Sequence, residues 1–286
     1  MLISKPSETK SISFEFFPPN SAEALEKLVL EAQKFLIFQP EFFSVTFGAG
    51  GGTRKKTLLT ANSLNQKFKI SIAPHISCIS LNADLARRTI SQYIEAGHQR
   101  LVVLRGDMPS GVPVNSEFRY AKDLVKFISN EFKESIFIDV AAYPECHPES
   151  LNFFDDLKYF KEKVEAGANR AITQYFFNCD SYYRFIDDCN KLNISIPILA
   201  GLMPISNGEG ILRFSKKCNA DIPKWLRNKI EYYSDNNDYL IKLGIEFMSK
   251  MCESLLENEA PGFHFYTLNK SYPTIEICKN LNFDNC

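Results

Sequence analysis

The stretch that decides the fold runs from Arg170 to Cys218. It reads RAITQYFF (Arg170–Phe177), SYYRFIDDCNKL (Ser181–Leu192), IPILAGLM (Ile196–Met203) and GEGILRFSKKC (Gly208–Cys218). Short apolar runs, each bounded by turn residues, alternate with longer stretches of helical pattern, and this marks two consecutive β-then-α units. The same alternation extends in both directions. Upstream, strands are predicted at Ser11–Phe17, Phe42–Phe47, Ser71–Ile79, Arg100–Gly106 and Ile136–Tyr143. Helices follow them, from Asn20 or Ser21 to Phe38, then at Thr53–Lys67, Asp84–Ala96, Arg119–Phe132 and Asn152–Ala166. Downstream, an eighth strand is predicted at Phe263–Leu268 and a closing helix at Tyr272–Leu281. Eight such units in under 300 residues predict an α/β fold, a (β/α)8 TIM barrel, over an open doubly wound sheet. Helical material at Ile222–Tyr233 and Asp238–Asn258 exceeds what a barrel needs and reads as an extra excursion before the last strand. With no low-complexity linker, residues 1–286 read as one domain.

Composition narrows the function. Lys and Arg total 33 against 34 Asp and Glu, a net charge of −1, which argues against a nucleic-acid binder or a polybasic membrane protein. The longest uncharged apolar run, about Ile194 to Ile205, is too short to span a bilayer. The first ten residues, MLISKPSETK, lack the apolar segment of a secretion signal. The eight cysteines form no C-x-x-C pair and read as reduced thiols of a cytoplasmic protein. The four histidines include no His-x-His, so no metal is expected.

A barrel of this class carries its chemistry at the C-terminal ends of the strands. Polar residues there are Glu15, Thr46, His75 and Ser77, Arg105 and Asp107, Tyr143, Glu145 and His147, and Gln174. Glu15 sits among three Phe residues, and withdrawal from water raises the pKa of a carboxyl, as a general acid requires. A strand Glu paired with a buried Arg is the structural alternative. Arg105-Gly106-Asp107 suits a polar heterocycle or a phosphate, or else a local salt bridge. The Gly48–Thr53 loop fits neither the dinucleotide nor the Walker fingerprint.

Seven motifs, in order from about Ser11 to Leu281, together resemble the bacterial type of methylenetetrahydrofolate reductase. They are FEFFPP (Phe14–Pro19), SVTFGA (Ser44–Ala49), APH (Ala73–His75), LRGD (Leu104–Asp107), AAYPECHPE (Ala141–Glu149), AGANRAITQ (Ala166–Gln174) and FHFYTLN (Phe263–Asn269). The resemblance is to the short form, the catalytic barrel alone. It implies a FAD-containing barrel that reduces 5,10-methylenetetrahydrofolate to 5-methyltetrahydrofolate for methionine synthesis. NAD(P)H, NADH by analogy, would be the hydride donor, with ping-pong kinetics in a homo-oligomer. By motif, Glu15 would protonate the folate, and Asp107 would contact the pterin and influence the flavin. Gln174, Tyr182, Phe214 and Lys270 would meet substrate, and Thr46 the nicotinamide. FAD would be held by His75, Arg105, Gly106, Ala121, Tyr143, His147, Asp156 and Lys163, with Phe47, Ala49 and Ser150 in backbone or packing contact.

The chain departs from the pattern at four positions. Phe47 stands where some members have Tyr. Tyr159 and Glu162 occupy FAD-contact positions that are Asn and Arg in a bacterial relative. Lys270 replaces an Arg and cannot make its two-pronged carboxylate contact. Glu162 beside Lys163 predicts weaker hold on the FAD phosphates. The competing readings are a metal-dependent or Schiff-base barrel aldolase or hydrolase, and a non-catalytic flavin or folate binder.

Overall fold

The computed structural model describes residues 10–47, 53–106 and 116–283. Eight parallel strands close into a barrel in sequence order, β1 (Ser11–Phe16), β2 (Phe42–Val45), β3 (Ser71–Ser77), β4 (Arg100–Leu104), β5 (Phe137–Ala142), β6 (Arg170–Thr173), β7 (Ile198–Leu202) and β8 (Gly262–Tyr266). The seam pairs β1 with β8, setting Ser13 beside His264 and Glu15 beside Tyr266.

Strand alternation sorts side chains into two cores. Phe14, Phe16, Phe43, Val45, Ile72, Ile76, Val103 and Val140 face the helices and join the large apolar cluster. The opposite faces fill the barrel, where Phe42, Ala73, Val102, Ile172 and Leu199 form a separate cluster capped by Leu104 and Tyr266. Gly201 on β7 has no room for a side chain. A Cβ there would come within 1.9 Å of the Thr173 carbonyl oxygen and 2.9 Å of the Tyr266 ring.

The helices are α1 (Ala22–Gln33), α2 (Thr53–Phe68), α3 (Ala83–Glu95), α4 (Ala121–Phe132), α5 (Phe153–Glu165), α6 (Cys179–Lys191), α7 (Gly208–Cys218), α8 (Lys224–Tyr232), α9 (Asn237–Glu257) and α10 (Thr274–Asn280). Ser21, Asn82, Asn152, Asn178, Asn207 and Asn236 each turn a side-chain oxygen onto a free N–H of the first turn, the usual chemistry of helix starts. None of the described helices is long and apolar enough to cross a membrane.

Two expectations need revision. The strands end earlier than their apolar runs, β6 at Thr173 rather than Phe177. Tyr175, Phe176 and Phe177 are buried without being strand, because the chain leaving β6 stays packed at the barrel mouth. The extra helical material also lies elsewhere. The long α9 packs on α6 and α10, which makes it the wall helix before β8. The insertion is therefore α7 and α8, which pack on each other. Ser215 of α7 reaches Tyr175 beyond β6, and Asn219 reaches the turn after β5, so α7 is held at the C-terminal end of the barrel.

Candidate active site

Glu15 points into the upper barrel between two imidazoles. Its Oε2 lies 3.5 Å from Nε2 of His75 and 3.7 Å from Nε2 of His264. His264 is fully buried against Phe42, ring centroids 5.6 Å apart, with Ser13 Oγ at 2.8 Å from Nδ1 and Ser44 Oγ at 3.3 Å from Nε2. Burial pushes His75 down to about 4 and His264 to about 3, although Glu15 opposes the first shift and Asp139 the second. Both imidazoles are thus neutral at pH 7, and neither offers Glu15 a counter-charge. Burial raises the Glu15 carboxyl, with only partial opposition from His75. Its side chain stays 19% exposed, so the carboxyl is reachable from the mouth.

The neighbouring motif fixes the backbone that carries this carboxyl. Thr267 Oγ1 donates to the Glu15 carbonyl at 2.6 Å. The Asn269 amide accepts from the Phe17 N–H and donates to the Phe17 carbonyl, each at 2.9 Å. Ser13, Ser44, His264 and Tyr266 were not singled out from sequence as neighbours of Glu15. Period-two alternation along β8 carried that signal, since His264 and Tyr266 fall on one face. The alternative of Glu15 paired with a buried Arg is not what the structure contains. Arg100 and Arg170 are buried lower in the barrel, bonded to Glu41 and Asp139.

A second group gathers at the ends of β3, β4 and β5. Arg105 grips Glu149 with both terminal nitrogens, at 2.6 and 2.7 Å. That arrangement supplies the salt bridge considered above, with Glu149 as the anion. Gly106 adopts φ +85, and a Cβ there would come within 2.6 Å of Ser77 Oγ, so the close approach it permits is to β3. Asp156 accepts from the His147 N–H at 2.8 Å and from Ser150 Oγ at 3.1 Å, bracing the turn after β5. Tyr143 and His147 meet edge to face, 4.6 Å apart. Lys163 turns its ammonium inward onto the Ala141 carbonyl, and burial lowers it to about 8 against the opposing pull of Asp156. Ala121 opens α4 beside Tyr120, whose N–H bonds Asp123.

Other expected residues are placed differently. Glu162 bonds Lys122 of α4 at 2.8 Å, and not Lys163, so its charge is already balanced. Tyr159 is 52% exposed on α5. Tyr182 is 2% exposed, stacked on Phe176, with its hydroxyl donating to the Ile198 carbonyl. It packs between helix and sheet and does not line the mouth. Gln174 sits just past β6, its side-chain oxygen accepting from the Tyr175 N–H. Phe214 projects from α7 at 37% exposure, and Lys270 is exposed after β8. Thr46 follows β2, where its N–H bonds the Phe16 carbonyl, and Phe47 lies under the Arg54 guanidinium at 5.8 Å. Asp107 and Ala49 lie outside the described residues.

Known proteins resemble this chain over most of its length. The sequence model of the methylenetetrahydrofolate reductase family matches residues 2–282. The 5,10-methylenetetrahydrofolate reductase of Buchnera aphidicola subsp. Schizaphis graminum is 40% identical over 271 residues, covering 93% of this chain and 90% of that one. The Escherichia coli K12 enzyme of the same name is 36% identical over 271 residues, covering 95% and 90%. Methylenetetrahydrofolate reductase (NADH) 1 of Arabidopsis thaliana is 34% identical over 284 residues, 95% of this chain but 48% of the plant protein. Among solved structures, a Clostridium thermocellum protein that binds two copies of 5-methyl-5,6,7,8-tetrahydrofolic acid superposes with a TM-score of 0.67. At 19% identity over 97% of this chain and 94% of that one, it speaks for the fold alone.

Proposed function

The chain belongs to the methylenetetrahydrofolate reductase family, and from that membership we propose that it works as a FAD-dependent, NADH-oxidising enzyme with Glu15 as its general acid. Reduction of 5,10-methylenetetrahydrofolate is the family's reaction. The finer proposal is a ping-pong cycle that yields 5-methyltetrahydrofolate for methionine synthesis, run by a cytoplasmic homo-oligomer whose residues 1–286 form one barrel domain.

The observation that carries this reading is the Glu15 carboxyl. It is raised by burial, flanked by two neutral imidazoles and still open to the mouth. Opening the folate imidazolidine ring requires a proton on the departing nitrogen, and a carboxyl still protonated near neutrality can give it. His75 and His264 contribute by being uncharged. Cationic imidazoles at those distances would pull the carboxyl back to its ionised form. Asp107 is proposed to face the pterin, where its charge would favour the cationic iminium formed on ring opening.

The side chains present fit FAD. His75 Nε2 is buried with no hydrogen-bond partner among the described residues, and Arg105, Tyr143, His147, Asp156 and Lys163 bring polar groups to the adjoining strand ends. Those residues, with Gly106, Ala121 and Ser150, would hold it, and Thr46, Phe47 and Ala49 would flank it. When bound, FAD would take hydride from NADH and return it to the folate carbon. Phe214 is proposed to stack on whichever substrate is present, with Gln174 hydrogen-bonding the folate ring and Lys270 meeting its glutamate tail as a point charge. Tyr182 is proposed to act only through the placement of α6. The test is an anaerobic titration of purified protein. A yellow protein bleached by NADH and recoloured by 5,10-methylenetetrahydrofolate meets the expectation. A colourless protein, or a flavin that NADH leaves oxidised, overturns it.

A further inference from the structure

The turn after β5 carries a carboxylate that the reaction above does not use. Glu145 lies two residues beyond Tyr143, and both of its oxygens are engaged. Oε1 accepts from Ser181 Oγ of α6 at 3.0 Å, and Oε2 accepts from the Asp221 N–H at 2.9 Å. Asp221 belongs to the segment between α7 and α8. The same segment returns the contact, since Asn219 Nδ2 donates to the carbonyls of Glu145 and Cys146, each at 3.3 Å. Asn219 is the left-handed residue that ends α7, at φ 58. Further up α7, the Ser215 hydroxyl meets the Tyr175 hydroxyl at 3.4 Å. The insertion helix is therefore fastened at its C-terminal end to the turn that bears Tyr143 and His147. It carries Phe214 beside the fastened Ser215.

We propose that Glu145 is a positioning residue, a clasp that sets α7 and its Phe214 face at a fixed distance from the turn after β5. It would thereby shape the space in which the folate lies. This rests on the functional reading above and adds a specificity element to it. The geometry explains why a carboxylate stands here. One group must accept from a backbone N–H and a side-chain hydroxyl on two different elements at once. An amide of the same length can do likewise, since a Gln oxygen would accept from the Asp221 N–H and its NH2 would donate to Ser181 Oγ. The clasp thus depends on shape and hydrogen bonding, and not on charge.

The experiment compares Glu145→Ala, Glu145→Gln and Asn219→Gly in the full holoenzyme. The glycine keeps the left-handed end of α7 and removes only the side-chain bonds. For Glu145→Ala the expected result is a rise of about tenfold in folate KM, one decade of substrate affinity. The calorimetric Kd for 5-methyltetrahydrofolate should rise in parallel, with kcat and FAD affinity in a titration of apo-protein little changed. Glu145→Gln should recover most of the loss, and Asn219→Gly should move KM in the same direction by less. A Gln variant as poor as Ala would overturn the clasp in favour of a charge effect. So would a drop in kcat or FAD binding at constant KM, which marks a merely structural role. If the Ala variant does not fold, an unchanged KM in Asn219→Gly overturns the proposal. Wild-type protein without NADH–folate turnover defeats the functional reading itself, whereas active wild type with flat KM values defeats the clasp alone.

Discussion

The two ends of the barrel interior shift their glutamates in opposite directions. At the N-terminal end, Glu41 and Asp139 are interlocked with Arg100 and Arg170. Arg170 bonds Asp139 Oδ1 and Glu41 Oε2, each at 2.8 Å, and Arg100 bonds Glu41 Oε1 at 2.7 Å. The two guanidiniums sit between the Phe42 and Phe137 rings, their carbons 4.2–5.5 Å from the centroids. At the C-terminal end, the Glu15 carboxyl lies instead against two neutral imidazoles, His75 and His264. Burial would raise Glu41, but Arg170 and Arg100 overcome it and hold the carboxyl down to about 2. Glu15, with no Lys or Arg in contact among the described residues, goes up. The two glutamates therefore move in opposite directions, Glu41 down where guanidiniums bond a part-exposed carboxylate and Glu15 up where its neighbours are imidazoles, while burial still raises the fully buried Asp139 against the pull of Arg170 and Arg100.

The strongest way to break the comparison is chemical. In Glu15→Gln the proton donor is gone, and the folate half-reaction should slow by roughly 10²–10⁴-fold. Reduction by NADH, which needs no proton from Glu15, should stay close to wild type. Stopped-flow traces of the two halves decide the matter. Equal impairment of both would show that Glu15 is structural, like its counterparts below.

The next largest effect attacks the lower end. Arg170→Met leaves Asp139 and Glu41 short of a partner in a dry layer, where breaking a buried pair typically costs about 3–5 kcal/mol. The Arg170 side chain is only 5% exposed, so water cannot replace it. Urea unfolding measures the loss, and a change below about 1 kcal/mol would mean the layer relaxes around the gap. Glu41→Gln is milder, since the carboxylate is 39% exposed and screened. A loss of about 1 kcal/mol at pH 7 is expected. A carboxyl whose folded pKa is depressed stabilises above its unfolded value and loses that contribution as pH falls. The wild-type protein should therefore weaken between pH 4.5 and about 2, and the variant less so. Parallel acid curves for the two proteins would contradict the assignment.

Much of this was legible in the chain because periodicity reports it. The eight strands, their order and the interior position of Glu15 follow from alternation and turn residues. The lower ion layer was not legible, because Arg100 and Arg170 stand at predicted strand starts, where a charge reads as solvated. They meet Glu41 only once the barrel closes, and nothing local encodes a contact 129 residues apart. The same holds for Glu162, whose partner Lys122 is 40 residues away on another helix. Tyr182 shows the converse. Its place in a familiar motif order suggested substrate, while its position on the buried stripe of α6, with Ser181, Phe185 and Cys189, already pointed to packing.

The smallest effect is the most discriminating, since it applies the same carboxylate-to-amide change at the upper end. A carboxyl whose folded pKa is raised costs stability whenever it must ionise. The contribution is favourable below the unfolded value and is lost as pH rises through the folded one. Glu15→Gln removes that cost, so the variant should match wild type near pH 4 and exceed it at pH 8, by about 0.5–1 kcal/mol. The buried imidazoles work the other way. His75 and His264, depressed to about 4 and about 3, stabilise above pH 6.5 and lose that contribution as pH falls. Both chains contain them, so the difference between variant and wild type isolates Glu15. Urea midpoints across pH 4–8 measure it. A gain at pH 8 from Glu15→Gln beside a loss at pH 7 from Glu41→Gln would show that Glu15 is kept, at some expense in stability, for the proton it holds. An equal loss at both positions would mean that Glu15 is ionised in the folded protein, and the proton for ring opening would have to come from another group.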